Sequence, residues 1–395
     1  MCTSTYQQIG AIADDSTGAL DTGAQFACVG LSTSLILDLR IHCAAAVQVI
    51  STNSRERDRE FAVESIRRAF RQLEGRQIYK KIDSSMRGHI GAEVNALLAV
   101  ARKEKAILCP AVIEAGRKVR HGQLWIEDEL LHHSAFSKDP GFPAKTSDLS
   151  SILDIPSSLV SLEHVHQGMP SLRAAIRQAR ERIVVVDACT LSDLDTIGES
   201  IVGEAWIPCG ALGLARAWAR ALTGVSQVSP TLGTPKTRLP LLVAMGSMHH
   251  QSRLQIARLK DVLQLPSYVT TDHLHWDSLS NSMNGGLDII VETPEQRTPP
   301  IGAQSGFPKI LGQIVRHAIS ASKIGALVII GGETLGGILD ALAPSSIQIR
   351  GELEPGVPWG TLIGGISAGT TIITKAGGFG DRDVLVRILD WTKER

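Results

Sequence analysis

The chain has 395 residues, 43% of them apolar, which suggests two domains, each able to bury a core. Lys+Arg and Asp+Glu balance at 40 each. Aromatics are only 4%, so neither a basic field nor a stacking surface for nucleic acid is present.

Ile9 to Ala13 reads as a short strand running into Asp14-Asp15-Ser16-Thr17-Gly18, with a helix after it. Adjacent carboxylates at a strand end repel one another and need a cation, hydroxyls or water. Asp15 as a simple N-cap is the alternative. Leu35 to Leu39 and Val47 to Ile50 read as strands, the second running into Ser51-Thr52-Asn53-Ser54-Arg55. The spacing of Ala62, Ile66, Ala69, Phe70 and Leu73 predicts a helix over 57–73.

Gln77 to Ile82 is the next strand. It opens into Asp83-Ser84-Ser85-Met86-Arg87-Gly88-His89, and a helix starts at Ile90. Capping by Ser84 or Ser85 would use one hydroxyl. The full set of acid, hydroxyls and arginine fits an anion-binding mouth better. Three strand ends thus carry Asp, Ser, Thr and Arg on one edge of a parallel sheet, where open α/β sheets bind ligands. Asp suits hydroxyl groups and Arg suits carboxylate or phosphate, so a small polyhydroxy acid is expected.

Gly116 to Gly122 reads as a basic loop, followed by a hairpin at Leu124 to Ile126 and Glu129 to Leu131 and a loop from Asp139 to Pro143. Strands and helices then alternate to about residue 222. The fold class expected is α/β with two domains, each a mostly parallel sheet flanked by helices. The boundaries expected are 1–225, a Pro/Ser/Thr/Gly linker at 226–240, and 241–395.

In the second half, Leu241 to Ala244 leads to Gly246-Ser247, and Ala326 to Ile330 leads to Gly331-Gly332-Glu333-Thr334. Pro299 to Pro308 reads as a loop, and Ile347 to Leu353 as a strand. Thr370 to Thr374 leads to Lys375-Ala376-Gly377-Gly378-Phe379-Gly380-Asp381. Two strand–glycine–helix segments suit a polyphosphate, because glycines let backbone N–H groups approach an anion. Neither G-x-x-x-x-G-K-[ST] nor G-x-G-x-x-G occurs. His132-His133, His164-x-His166 and His249-His250 lack zinc spacing and read as surface histidines.

The six cysteines form no C-x-x-C pair and read as reduced thiols of a cytoplasmic protein. The chain opens without a basic segment leading into an apolar one, and it has no run of 18 apolar residues. Neither export nor a membrane partner is expected.

Ala13-Asp14-Asp15-Ser16-Thr17-Gly18-Ala19-Leu20-Asp21-Thr22-Gly23 resembles the N-terminal signature of the four-carbon acid sugar kinases. Lys81 to Glu93 resembles that family's K-x-D-S-T-L-R-G-N-I-G-A-E segment. Gly331 to Thr334, Pro355 to Pro358 and Thr374 to Gly380 resemble its nucleotide-binding segments, so the likeness runs from about residue 9 to about 390. Departures are Ser16 for Leu, Ser85 for Thr, Met86 for Leu and His89 for Asn. His89 is therefore the first position to inspect for substrate choice.

The resemblance implies ATP-dependent phosphorylation of threonate, erythronate or an oxo form, with Mg²⁺. It places Asp14, Asp15, Arg55, Asp83, Ser84 and Arg87 around the acid sugar. It places Ser247, Gly331, Gly332, Glu333, Thr334, Gly377 and Gly378 on ATP, with Glu333 a metal ligand directly or through water. Arg87 and its following helix are expected to hold the carboxylate. Asp83 and Asp381 both remain candidates for the base, and Lys375 for neutralising the transferring phosphoryl group. The linker implies a closure that excludes water. The partners expected are the acid sugar and ATP, with a homo-oligomer left open. Two other classes fit the same residues: a non-catalytic binding or regulatory protein, and a nucleotide-dependent oxidoreductase.

Overall fold

The computed structural model describes residues 8–41, 43–139, 141–225, 236–270, 276–294 and 306–393. Contacts divide the chain into two units. One is Met1–Thr33 with Cys43–Ser229, and the other is Ser34–His42 with Pro230–Arg395. Residues 34–42 thus leave the first unit and join the second, where Leu37 and Asp38 donate their backbone N–H groups to the Ser345 carbonyl at 3.0 and 2.9 Å. Nothing in the composition of 34–42 signals this excursion. Of the expected linker, 226–235 lies outside the described residues. The rest already belongs to the second unit, where the Thr237 N–H donates to the Thr392 carbonyl at 2.9 Å.

The first unit carries a parallel sheet in the order Val47–Ser51, Ile9–Ala13, Gln77–Lys81, Ile207–Gly210, Ala106–Cys109, Ile183–Val186, Ser157–Val160. Strands such as Ile183–Val186 are apolar throughout because both faces are buried. Helix Ser16–Cys28 is buried along its whole length, and its small residues permit close packing. Phe26, Tyr79 and Trp218 meet edge-on or stacked, with centroids 5.9 to 6.2 Å apart, and the Tyr79 hydroxyl donates to the Ala211 carbonyl. The expected basic loop at 116–122 is instead mostly a strand, Arg117–Arg120. It pairs antiparallel with Gln123–Ile126, which pairs in turn with Glu129–Leu130.

The second unit has the order Ser267–Val269, Ile289–Glu292, Leu241–Met245, Ala326–Ile330, Thr371–Lys375, Pro358–Ile363, Ser346–Glu352, with residues 34–36 beyond. Neighbours are parallel up to Thr371–Lys375 and antiparallel from there to Ser346–Glu352. Its core gathers Val243, Val328, Ile330, Trp359, Ile373 and Leu385. Ser267–Val269, Pro358–Ile363 and helix Trp276–Asn284 were not legible as elements, being short or interrupted by Gly and Pro. Most of the expected loop at 299–308 lies outside the described residues, and a helix begins at Gly306. Among the described residues no helix is long and apolar enough to cross a membrane.

Candidate functional site

In the first unit the three polar strand ends are those of adjacent strands, with Ile9–Ala13 between Val47–Ser51 and Gln77–Lys81. Parallel pairing puts their carboxyl ends on one edge, and the charges there interlock. Arg55 donates to both oxygens of Asp14 at 2.8 and 2.9 Å, and to Asp15 at 2.6 Å. Its remaining Nη1 lies 3.6 Å from Asp83. Arg87 forks onto Asp83 through Nε at 2.9 Å and Nη2 at 3.1 Å, while its Nη1 lies 3.4 Å from Asp139. The Ser85 hydroxyl donates to Asp83 at 2.6 Å.

Burial alone would raise both carboxyls. The Arg55 guanidinium overcomes it and holds Asp14 below the ordinary carboxyl range. Arg55 and then Arg87 do the same for Asp83, holding it well below that range. Arg55 is itself pushed up against its burial by Asp14, Asp15 and Asp83. Asp15 also caps helix Ser16–Cys28, accepting from the Gly18 N–H at 3.1 Å, so the capping and site readings both hold. A Cβ on Gly18 would lie 2.5 Å from Asp15 Oδ1 and 2.7 Å from Lys81 Nζ, so a larger residue there would displace both charged groups.

Other expectations change. Neither Ser84 nor Ser85 caps the following helix, which begins at Ile90 after His89. The Ser84 hydroxyl accepts from Arg117 Nη1 at 2.6 Å. The His89 ring pairs with the Arg57 carbonyl at 2.8 Å, so its first partner is backbone. Arg117, Asp139 and Lys81 join these charges: Arg117 through Ser84, Asp139 through Arg87, and Lys81 as a cation near Asp14 and Asp83. No spacing in the sequence signals the first two, and Lys81 stands out only as part of the K-x-D segment.

In the second unit Ala326–Ile330 lies between Leu241–Met245 and Thr371–Lys375. Their carboxyl ends bring together Ser247, Gly331, Thr334 and Gly377. A Cβ on Gly377 would lie 2.7 Å from the Ser247 Oγ, and one on Gly331 would lie 3.3 Å from the Thr334 Oγ1. Gly331 has φ +110, open to glycine, and caps helix Gly332–Leu342. The expected loop 331–334 is therefore mostly the first helical turn, whose N–H groups have no partner within the helix, and Glu333 is exposed. A Cβ on Gly378 would lie 3.2 Å from His249 Nε2, so His249, exposed as expected, also borders this site.

Lys375 and Asp381 each have partners of their own. Lys375 is 0% exposed, and its Nζ donates to the carbonyls of Ala376, Gly377 and Phe379 at 2.9, 3.3 and 3.0 Å. These bonds turn the Lys375 side chain to its own loop. Asp381 is exposed and bound to Arg387 at 2.9 and 3.1 Å. Its carboxyl is held below the ordinary range by that hydrogen bond. Among the described residues no three His, Cys, Asp or Glu side chains gather to hold a metal.

These features define a two-domain α/β protein with an acid-and-arginine site in one unit and a glycine-lined, anion-suited helix end in the other. Residues 9–218 match the family model of a sugar-binding N-terminal domain, and 242–385 that of a nucleotide-binding C-terminal domain. The chain belongs to the four-carbon acid sugar kinase family. It is 30% identical to a D-threonate kinase of Bordetella bronchiseptica, covering 98% of each chain. It is 27% identical to a 3-oxo-tetronate kinase of Burkholderia multivorans, covering 96% of each. A Salmonella typhimurium structure described as a putative tRNA synthase matches in fold alone, with a TM-score of 0.80 at 22% identity over 96% of this chain and 98% of that one.

Proposed function

We propose that the protein transfers the terminal phosphoryl group of ATP to a hydroxyl of a four-carbon sugar acid such as threonate, erythronate or 3-oxo-tetronate. The observation that carries this is the interlocked set of Asp14, Asp15 and Asp83 with Arg55 and Arg87 on one sheet edge. Carboxylates accept from sugar hydroxyls and guanidinium groups donate to a carboxylate, and a small polyhydroxy acid needs both. The names of the relatives support the same chemistry.

ATP would be held in the second unit by Ser247, Gly331, Gly332, Thr334, Gly377 and Gly378. The cradle fits, because side chains on Gly331 and Gly377 would fill it. Mg²⁺ would take most of its ligands from phosphate oxygens and water, with Glu333 assisting through water. ATP and Mg²⁺ supply the phosphoryl group and its charge compensation.

The chain's own part is positioning. Phosphoryl transfer has a loose transition state that asks little of a base. Asp83 therefore accepts a hydrogen bond from the attacking hydroxyl and orients it, while Arg55 and Arg87 keep Asp83 ionised. Asp83 takes the proton only as the new bond to phosphorus forms.

A coupled ADP-release assay with threonate, erythronate and 3-oxo-tetronate stereoisomers tests this reading. ADP formation dependent on one of these acids is expected. No ADP with any of them, alongside tight binding, would make the chain a binding protein.

A further inference from the structure

We propose that Lys81 is a catalytic residue whose ammonium, with the first turn of helix Ser16–Cys28, receives the phosphoryl group as it passes to the acid sugar. The inference rests on the sugar-acid reading above and adds to it the cation that meets the transferred group.

Lys81 is the last residue of strand Gln77–Lys81 and stands in register with Ala13, one residue before Asp14. It is 6% exposed, and its Nζ donates to the Ile82 carbonyl at 2.9 Å. Among the described residues that carbonyl is its one hydrogen-bond partner. An ammonium has three donors, so two are open. Lys375 Nζ, in contrast, donates to three carbonyls of its own loop. Buried polar groups are ordinarily bonded, so open donors on a buried ammonium at a sheet's carboxyl edge point to a ligand with oxygen atoms.

The surroundings suit an anion. Lys81 Nζ lies at the first turn of helix Ser16–Cys28, where a Cβ on Gly18 would stand 2.7 Å from it. Asp15 takes the Gly18 N–H, while the N–H groups of Ser16 and Thr17 have no partner within the helix. These two donors and the helix dipole favour negative charge beside the ammonium.

The shape of the cation selects between the two anions of the reaction. The guanidinium forks of Arg55 and Arg87 match a planar carboxylate, whereas an ammonium is a compact point charge with rotatable donors that suits a tetrahedral phosphoryl group. Lys81 also helps to hold the carboxyls of Asp14 and Asp83 down, which puts it close to the hydroxyl that Asp83 orients. In the transfer, the attacking hydroxyl oxygen bonds to phosphorus while the bond from phosphorus to the bridging oxygen of ATP breaks. ADP leaves, and the hydroxyl proton passes to Asp83. Lys81 gives up no proton; its two open donors bind the oxygens on which charge is spread.

The test combines steady-state kinetics on threonate, erythronate and 3-oxo-tetronate with calorimetry on the full chain. The calorimetric ligands are the acid that is turned over and its phosphorylated product, made with the wild-type chain. Lys81→Met should lower kcat about 100-fold, the loss of a donor to developing charge. It should weaken binding of the product about 10-fold or more and leave binding of the acid within about twofold. A kcat near the wild-type value overturns the proposal. So does an acid affinity that falls as far as the product affinity, which would make Lys81 a ligand of the acid or a structural counter-charge to Asp14 and Asp83. Should Lys81→Met fail to fold, Lys81→Gln keeps a donor for the Ile82 carbonyl and carries the same expectations. If the wild-type chain forms ADP with none of the acids, the sugar-acid reading itself falls and this inference with it. If it turns over an acid while the Lys81 variant keeps its kcat, only the present inference falls.

Discussion

The ammonium of Lys80 meets the carboxylate of Glu93 at 2.8 Å, with both side chains closed to solvent. The other Glu93 oxygen accepts from the Ser54 hydroxyl at 2.6 Å. Ser54 directly precedes Arg55, so this buried pair ties strand Gln77–Lys81 and helix Ile90–Val100 to the residue that holds Asp14. A buried pair contributes little beyond an apolar substitute, but breaking one side strands a charge. Glu93→Ala is expected to lower unfolding free energy by about 3–5 kcal/mol. The double variant Lys80→Met with Glu93→Leu should regain much of that, and urea denaturation of the three chains checks it. Equal loss in the single and double variants would refute the stranded-charge account.

Asp83 provides a pH test. Its carboxyl lies well below the ordinary range in the folded chain, against about 3.9 when unfolded. Between those values the unfolded chain binds more protons, so stability rises with pH there. The contribution is fully present above the unfolded value and is lost as pH falls through the folded one. Asp83→Asn should therefore show a shallower loss of stability below about pH 4 than wild type. Urea midpoints measured from pH 3 to pH 7 decide it, and identical acid slopes would remove Asp83 as a contributor.

Lys375 titrates in the opposite region. Burial pushes its ammonium down to about 7. Between that value and the unfolded value of about 10.4, the unfolded chain binds the extra proton, so stability rises with pH across this window. Lys375→Met should flatten the rise, as read from thermal melts between pH 6.5 and pH 10. The same variant frees the carbonyls of Ala376, Gly377 and Phe379, so the KM for ATP should rise more than kcat falls. A large drop in kcat at unchanged KM would return Lys375 to the phosphoryl group.

Gly377→Ala places a methyl group 2.7 Å from the Ser247 Oγ and 3.0 Å from the His249 Cβ. Nucleotide affinity is expected to fall about 10-fold or more, while sugar-acid affinity stays within about twofold. Calorimetry with ADP and with a tetronate separates the two, and unchanged ADP binding would place the nucleotide elsewhere.

The strand ends 14–18, 51–55 and 83–87 were legible because strand–polar–helix junctions leave a mark in local sequence. The two glycine segments were legible for the same reason. The partners of those residues were not. Arg55 lies 41 residues from Asp14, and Arg117 lies 33 from Ser84, so no spacing rule connects them. The surroundings of Lys375 and Asp381 were equally out of reach, because sequence reports charge and not burial. One ammonium turned inward to its own loop, and one carboxylate turned outward to Arg387.

By itself, then, the sequence determined the α/β class, the two-part division and the chemical character of each half. Periodicity, glycines and charge all act within a few residues and survive in the linear order. The tertiary structure alone decided which charges neutralise one another. Ionic pairing depends on distance and dielectric, and both are set only when strands distant in sequence lie side by side and water is excluded. That packing closed Arg55 onto Asp14 and brought Arg117 from a separate sheet to Ser84.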